Sequence, residues 1–92
     1  MSEDKDFLHF LLTTRPDQQK ALLQTVTPDQ THTLVEVAYN LSRLTDLGHQ
    51  QRFIAHLGNQ KHTLRYKRSL IRKYSTRLLK VLNAHKKRLL EL

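Results

Sequence analysis

Apolar residues separated by three and four positions recur along most of this chain, which is the pattern of amphipathic α-helices. The first such segment covers about residues 4–13. Its apolar side is predicted to comprise Phe7, Leu8, Phe10, Leu11 and Leu12. Acidic residues precede this apolar run, as the positive end of a helix dipole favours.

Two Pro-Asp-Gln triplets, at residues 16–18 and 28–30, predict the next two helix starts. Proline suits the first helical position because its missing N–H would be unpaired there in any case. Thr27 is a preferred N-cap, and Gln30 is placed to complete a capping box. We interpret the repeated triplet as two similar helix starts, rather than as a duplicated functional unit. The helix after Thr27 is predicted to end near residue 41 or 43 and to bury Leu34, Val37, Ala38 and Leu41.

A fourth helix is predicted over residues 50–57, with Phe53, Ile54 and Leu57 buried. Residues 45–48 interrupt the helical pattern before it. Gly58 follows it, and we expect this glycine to be a left-handed C-cap.

The last and longest predicted helix covers about residues 63–90, where neither glycine nor proline occurs. At 1.5 Å per residue it would be a rod about 40 Å long. Its predicted apolar stripe, serving the core or an oligomer interface, comprises Leu64, Leu70, Ile71, Tyr74, Leu78, Val81, Leu82 and Leu89. The predicted fold is therefore all-α, with four short helices packed on one long amphipathic basic helix. Residues 1–60 and 61–92 would be two parts of one domain.

Charge divides the chain at the same point. Residues 61–92 contain eleven Lys or Arg and one acid, whereas residues 1–60 contain five and seven, giving +8 in all. Cations at every one or two turns of a rod can meet successive phosphates and release counterions. Solvated helix faces usually mix both signs, so we favour a polyanion ligand, DNA more than RNA. The predicted nucleic-acid-binding residues are Arg65, Lys67, Arg68, Arg72, Lys73, Arg77, Lys80, Lys86, Lys87 and Arg88.

Catalytic and metal chemistry find little support in the sequence. The chain has no cysteine, and no serine lies in a glycine-flanked elbow. His49, His56 and His62 are seven and six positions apart, which is not the i, i+4 spacing of a helical zinc motif. We therefore expect no enzyme activity, no metal, no cofactor and no small-molecule substrate.

The other partners that the sequence allows are a membrane surface, an acidic protein and a second copy of the chain. A basic amphipathic helix can lie on anionic lipid, but this stripe has no Trp or Phe anchor and is needed for the fold. We expect no membrane partner and a protein that is made in the cytosol and not secreted. The alternative to DNA binding is a protein-interaction or structural module whose basic helix docks on an acidic partner. A homo-oligomer, such as a dimer, would enlarge the small core.

Two segments resemble a known group of proteins. Residues 20–30, with their ALL-T-TP-Q pattern, and residues 34–41, with an L-E-A-NL pattern, are similar to small basic proteins of Maverick/Polinton DNA transposons and adintovirus-like DNA viruses. The Lys-Arg-Ser-Leu-Ile step at 67–71 adds to this resemblance, whereas residues 44–48 replace the Gly-x-Pro-Leu loop of those proteins. The resemblance implies a role beside DNA, in the nucleus or in a virion, and thus in the compaction or organisation of that DNA.

Overall fold

Residues 2–91, which the computed structural model describes with side chains from residue 5 onward, form seven α-helices, one 3₁₀ turn and no strand. The all-α class predicted from the sequence is thereby confirmed. The helices are α1 (Ser2–Thr13), α2 (Pro16–Gln24), α3 (Pro28–Leu44), α4 (Gln51–Leu57), α5 (Leu64–Lys73), α6 (Ser75–Ala84) and α7 (Lys86–Leu90), and the 3₁₀ turn, Gly48–Gln50, precedes α4.

The predicted helix starts are present. The backbone N–H of Gln30 donates to Thr27 Oγ1 at 3.1 Å, and the N–H of Thr27 donates to Gln30 Oε1 at 3.0 Å. This capping box satisfies two of the N–H groups that a helix start leaves without partners. Pro16 and Pro28 are the first helical residues of α2 and α3.

The prediction of a single long C-terminal helix is wrong. The segment is divided into α5, α6 and α7 by breaks at Tyr74 and His85. The molecule measures 30 × 27 × 26 Å, so it cannot contain a projecting rod of about 40 Å. Instead α5 packs on α2 and α3, α6 packs on α2, and α7 packs on α1.

The first break is stabilised by a side chain from another helix. Tyr74 has φ −110° and ψ 34°, outside the helical region. In an unbroken helix the carbonyl of Arg72 would accept from the N–H of Thr76. Here it accepts from Nε2 of Gln24 on α2 at 2.8 Å, and the same nitrogen lies 3.2 Å from Ser75 Oγ. The bend therefore depends on tertiary packing and has no local sequence signal.

The second break, at His85, is stabilised within the segment. The backbone N–H of His85 donates to the carbonyl of Leu82 at 3.1 Å, a tighter turn than an α-helix makes. Nδ1 of His85 lies 3.0 Å from the carbonyl of Val81, which the backbone N–H no longer reaches. His85 is half-buried, so it supports the bend beside the core.

The two breaks also interrupt the predicted apolar stripe. Leu64 and Tyr74, at the start and at the end of α5, are 40% and 37% exposed and so do not belong to the core. Their place in an oligomer interface stays a prediction. The remaining members of the stripe are buried: Leu70, Ile71, Leu78, Val81, Leu82 and Leu89. They meet apolar side chains of α1 to α4 in one core.

Three further expectations differ in detail. Phe10 is 55% exposed instead of buried, because Phe7 and the leucines of α1 face the core in its place. Val37 is only half-buried, although it packs against the core as predicted. Gly58 has φ −84° and is not left-handed, whereas Gly48, with φ +59°, adopts that conformation. A Cβ on Gly58 would come within 3.0 Å of the Tyr39 ring, so close approach explains this glycine.

Within residues 2–91, no helix combines the length and the apolar character needed to cross a membrane.

Candidate nucleic-acid interface

An open groove of about 610 Å³ lies between α4 on one side and α5 with the start of α6 on the other. Both α4 and α5 pack on α3, which therefore sets the separation of the two walls. We call this feature the aromatic–cationic groove. It is lined by His49, Arg52, Phe53, His56, Tyr66, Ser69, Leu70, Lys73, Tyr74 and Arg77.

The α4 wall follows from the amphipathic character of that short helix. Phe53, Ile54 and Leu57 are buried and attach α4 to the core. Arg52 and His56, four residues apart, are exposed beside them and form the rim.

The opposite wall is one face of α5 that continues into α6. On α5, the residues Tyr66, Ser69, Leu70 and Lys73 follow the i, i+3, i+4, i+7 spacing that places side chains along one side of a helix. Arg77 joins this wall from α6, beyond the break at Tyr74. Leu70 is 6% exposed and forms part of the floor with Phe53, which is equally buried. The tyrosine and the two cations are exposed above that floor.

Arg77 is held in place by two contacts with the 3₁₀ turn and α4. Its Nε donates to Oε1 of Gln50 at 2.6 Å, and its guanidinium lies 4.6 Å from the centroid of the Phe53 ring. The Phe53 ring in turn meets Tyr74 edge to face, at 5.8 Å and 72°. These contacts use Nε and one face of the guanidinium and fix its position in the groove lining.

The other two cations of the groove come from different helices. Lys73 Nζ lies 5.4 Å from the centroid of the Tyr74 ring, within range of a cation–π interaction. Arg52 contributes a guanidinium from the α4 rim. Among the described residues that line the groove there is no acid, and the two ion pairs found in residues 5–91, Arg15–Asp17 and His32–Glu36, lie elsewhere. The cations of the groove therefore have no acidic counterpart within its described lining.

A histidine pair borders the groove at the Tyr66 end. His56 Nδ1 and His62 Nε2 are 3.5 Å apart, although the spacing of six residues excludes one helical face. Their rings meet at 74°, and His62 also meets Tyr66 edge to face at 4.6 Å. Partial burial, together with the nearby His56 and Lys67, lowers the pKa of His62 below its ordinary value of 6.5. Residues 5–91 contain no cluster of three potential metal-ligating side chains.

The ten cations predicted from the sequence are distributed over three helices. Lys73 and Arg77 line the aromatic–cationic groove, and Lys80 borders a smaller adjoining depression beside Gln50. The other seven do not line either of these: Arg65, Lys67, Arg68 and Arg72 on α5, and Lys86, Lys87 and Arg88 on α7. Lys67 and Arg68 are half-buried.

Of the residues that line the groove, only Lys73 and Arg77 were predicted from the sequence to bind nucleic acid, and Arg52, Tyr66, Tyr74 and the histidines were not. Arg52 lies in the slightly acidic part of the chain, where its charge is cancelled in any count. The i, i+7 spacing of Tyr66 and Lys73, on one face of α5, was a readable signal. Nothing in the sequence indicates that α4 lies opposite that face, because it is α3 that positions both walls.

Comparison of the chain with protein-family models, with curated proteins and with solved structures found no match.

Proposed function

We propose that this protein binds nucleic acid without catalysing a reaction, and that the aromatic–cationic groove is the contact site. The observation that carries the proposal is the convergence of Arg52, Lys73 and Arg77, from α4, α5 and α6, on a groove whose described lining contains no acid. Three cations grouped in this way match the repeated charge of a phosphate backbone.

The remaining cations of residues 61–92 contribute in a different way. Exposed charges on α5 and α7 raise the positive potential around the molecule and accelerate its encounter with a polyanion. Because these charges lie on separate helices of a compact body, they act through their summed electrostatic field. They do not form a row of phosphate contacts along one helix. Such binding depends steeply on salt and little on base sequence.

A wider role in compacting or organising DNA extends this proposal. The resemblance to transposon and virus proteins would locate that role at the DNA of a mobile element, in the nucleus or in a virion. Compaction requires that one particle contacts more than one DNA segment, which a homo-oligomer would allow.

The test compares two variants of equal charge. Arg52→Gln/Lys73→Gln/Arg77→Gln removes the groove cations, and Arg65→Gln/Lys86→Gln/Lys87→Gln removes three exposed cations outside it. Binding of labelled oligonucleotides is measured by fluorescence anisotropy as a function of salt. The groove variant should lower the salt slope by roughly 2–3, because each lost phosphate contact removes about 0.7–0.9. The matched variant should change it by less than half as much.

Circular dichroism and thermal unfolding of both variants serve as the control that each is folded. Absence of binding by the unaltered protein at physiological salt would exclude the proposal. Equal losses in the two variants would show that binding is spread over the surface and that the groove is not the site.

A second candidate is docking on an acidic protein segment. Exposed apolar side chains that could add to such an interface include Phe10 and Leu44, which are 55% and 58% exposed. Competition with polyglutamate, matched in charge to the oligonucleotide, distinguishes nucleic-acid binding from docking on an acidic protein segment. Displacement of the oligonucleotide at equal charge concentrations would favour the acidic protein, since polyglutamate has no phosphate and no base.

A further inference from the structure

We propose that the aromatic–cationic groove takes single-stranded nucleic acid, whose unpaired bases stack on Tyr66 and Tyr74 while Arg52, Lys73 and Arg77 contact the phosphates. This inference rests on the proposed function and defines its substrate class. A purely cationic surface would treat single and double strands alike according to charge, whereas this groove also exposes aromatic rings.

The two tyrosines are exposed yet held in position. Tyr66 and Tyr74 are 42% and 37% exposed, so part of each ring is open to solvent. Tyr66 meets the His62 ring at 61°, and Tyr74 meets the Phe53 ring at 72°. Edge-to-face contacts of this kind fix the orientation of a ring. One face of Tyr74 is also covered by Lys73 Nζ, 5.4 Å from the ring centroid, so a base would stack on the other face. A ring that is already oriented loses little conformational entropy when a base stacks on it.

The spacing of rings and charges alternates along the groove wall. Tyr66 and Tyr74 are eight residues apart in the chain, and a helical rise of 1.5 Å per residue separates them by about 12 Å. Lys73 precedes Tyr74 directly, and Arg77 follows it by three positions. Arg52 is on the facing wall. A strand that follows the groove thus meets rings and cations in turn, the arrangement of sequence-tolerant single-strand binding sites.

A duplex fits this arrangement poorly. Its bases are already stacked and paired, so it offers phosphates to the three cations but no free base face to the tyrosines. Unpairing would cost the duplex free energy that a single strand does not lose. The chemistry of the walls therefore favours an unpaired strand.

The experiment measures anisotropy of a labelled oligothymidine of roughly 16 nucleotides and of a hairpin duplex with the same number of phosphates. The single strand should bind at least about tenfold more tightly. Tyr66→Ala/Tyr74→Ala should weaken single-strand binding about 25-fold or more, because each stacked base contributes a factor of about 5–150. Duplex binding should change less than about twofold.

Two control variants accompany it. Tyr66→Phe/Tyr74→Phe keeps the rings and should keep single-strand affinity. Phe10→Ala removes an exposed aromatic ring outside the groove and should leave both affinities unchanged.

A readout that needs no alanine variant guards against misfolding. The chain has three tyrosines and no tryptophan, so its fluorescence is that of tyrosine. Tyr39→Phe removes the one tyrosine outside the groove lining. Oligothymidine should then quench most of the remaining emission, and the duplex should not.

The outcomes separate the inference from the proposed function. Equal affinities for single strand and duplex, or an unchanged single-strand affinity in Tyr66→Ala/Tyr74→Ala, would overturn the inference. If the groove-cation variant still lost binding in that case, the proposed function would stand without it. If neither the groove-cation variant nor the tyrosine variant lost binding, both the inference and the proposed function would be overturned.

Discussion

Gln19 and Asn83 join their side-chain amides by two hydrogen bonds of 3.0 Å each, across 64 positions of sequence. Nε2 of Gln19 also donates to the carbonyl of Leu11 at 2.8 Å, just before the end of α1. One amide, with only 3% of Gln19 exposed, thus links α1, α2 and α6. No buried side-chain nitrogen or oxygen among the residues described in the structure lacks a partner.

Replacing Gln19 by leucine should destabilise the fold. Asn83 is exposed and can turn to water, but the carbonyl of Leu11 would lose a buried donor. Leaving one buried polar group unpaired costs about 1–3 kcal/mol. Urea unfolding followed by circular dichroism should show that decrease for Gln19→Leu. Gln18→Leu, at an exposed position of the same helix, should stay within about 0.5 kcal/mol; an equal effect would refute the role of this amide.

Two members of the predicted stripe, Ile71 and Leu64, should behave differently when truncated. Ile71 is fully buried, so Ile71→Ala should lower the free energy of unfolding by about 2–5 kcal/mol. Leu64 is 40% exposed at the start of α5, so Leu64→Ala should cost less than about 1 kcal/mol. Denaturant unfolding of both variants checks this ranking. Similar losses would favour the continuous stripe over the broken one.

Some features of the fold follow from local sequence signals, and others depend on tertiary contacts. The capping box at Thr27 and Gln30 involves neighbours three residues apart, so it could be read from the sequence. The break at Tyr74 depends on Gln24, which lies 48 residues before the carbonyl that it binds. A segment without glycine or proline therefore predicted one long helix, although the distant Gln24 side chain stabilises a break between α5 and α6.

The candidate site was likewise predictable only in part. Lys73 and Arg77 were predicted as cations of one surface because charge and helical spacing are visible in the sequence. Their grouping with Arg52 was not, because it requires α4 to lie opposite α5, and α3 holds both. The ring contacts that orient Arg77 and Tyr74 come from Phe53, which the pattern identified only as a core residue.

The fold should lose stability at acidic pH through His62. Partial burial and the positive neighbours His56 and Lys67 lower its pKa in the folded state below the ordinary 6.5, so below that pH the unfolded chain binds the proton more readily. This contribution is complete above pH 6.5 and is lost as the pH falls below it. Unfolding by urea at several values between about pH 5 and pH 8 measures the slope.

The control for this titration is His62→Gln, which keeps a polar side chain but cannot titrate. Its free energy of unfolding should fall less with decreasing pH than that of the unaltered protein. Carboxylates elsewhere contribute equally to both chains and cancel in the comparison. Identical slopes would mean that protonation of His62 does not contribute to the pH dependence of stability.

Arg52 offers the sharpest single test of the groove, because the sequence placed it outside the basic region. Arg52→Gln and Arg43→Gln each remove one exposed arginine from residues 1–60, but only the first lines the groove. Arg52→Gln should lower the salt slope of oligonucleotide binding by about 0.7–0.9, the share of one phosphate contact. Arg43→Gln should change it by a small fraction of that, through the general field alone. The opposite ranking would move the interface away from α4, and with it the two-walled site that α3 positions.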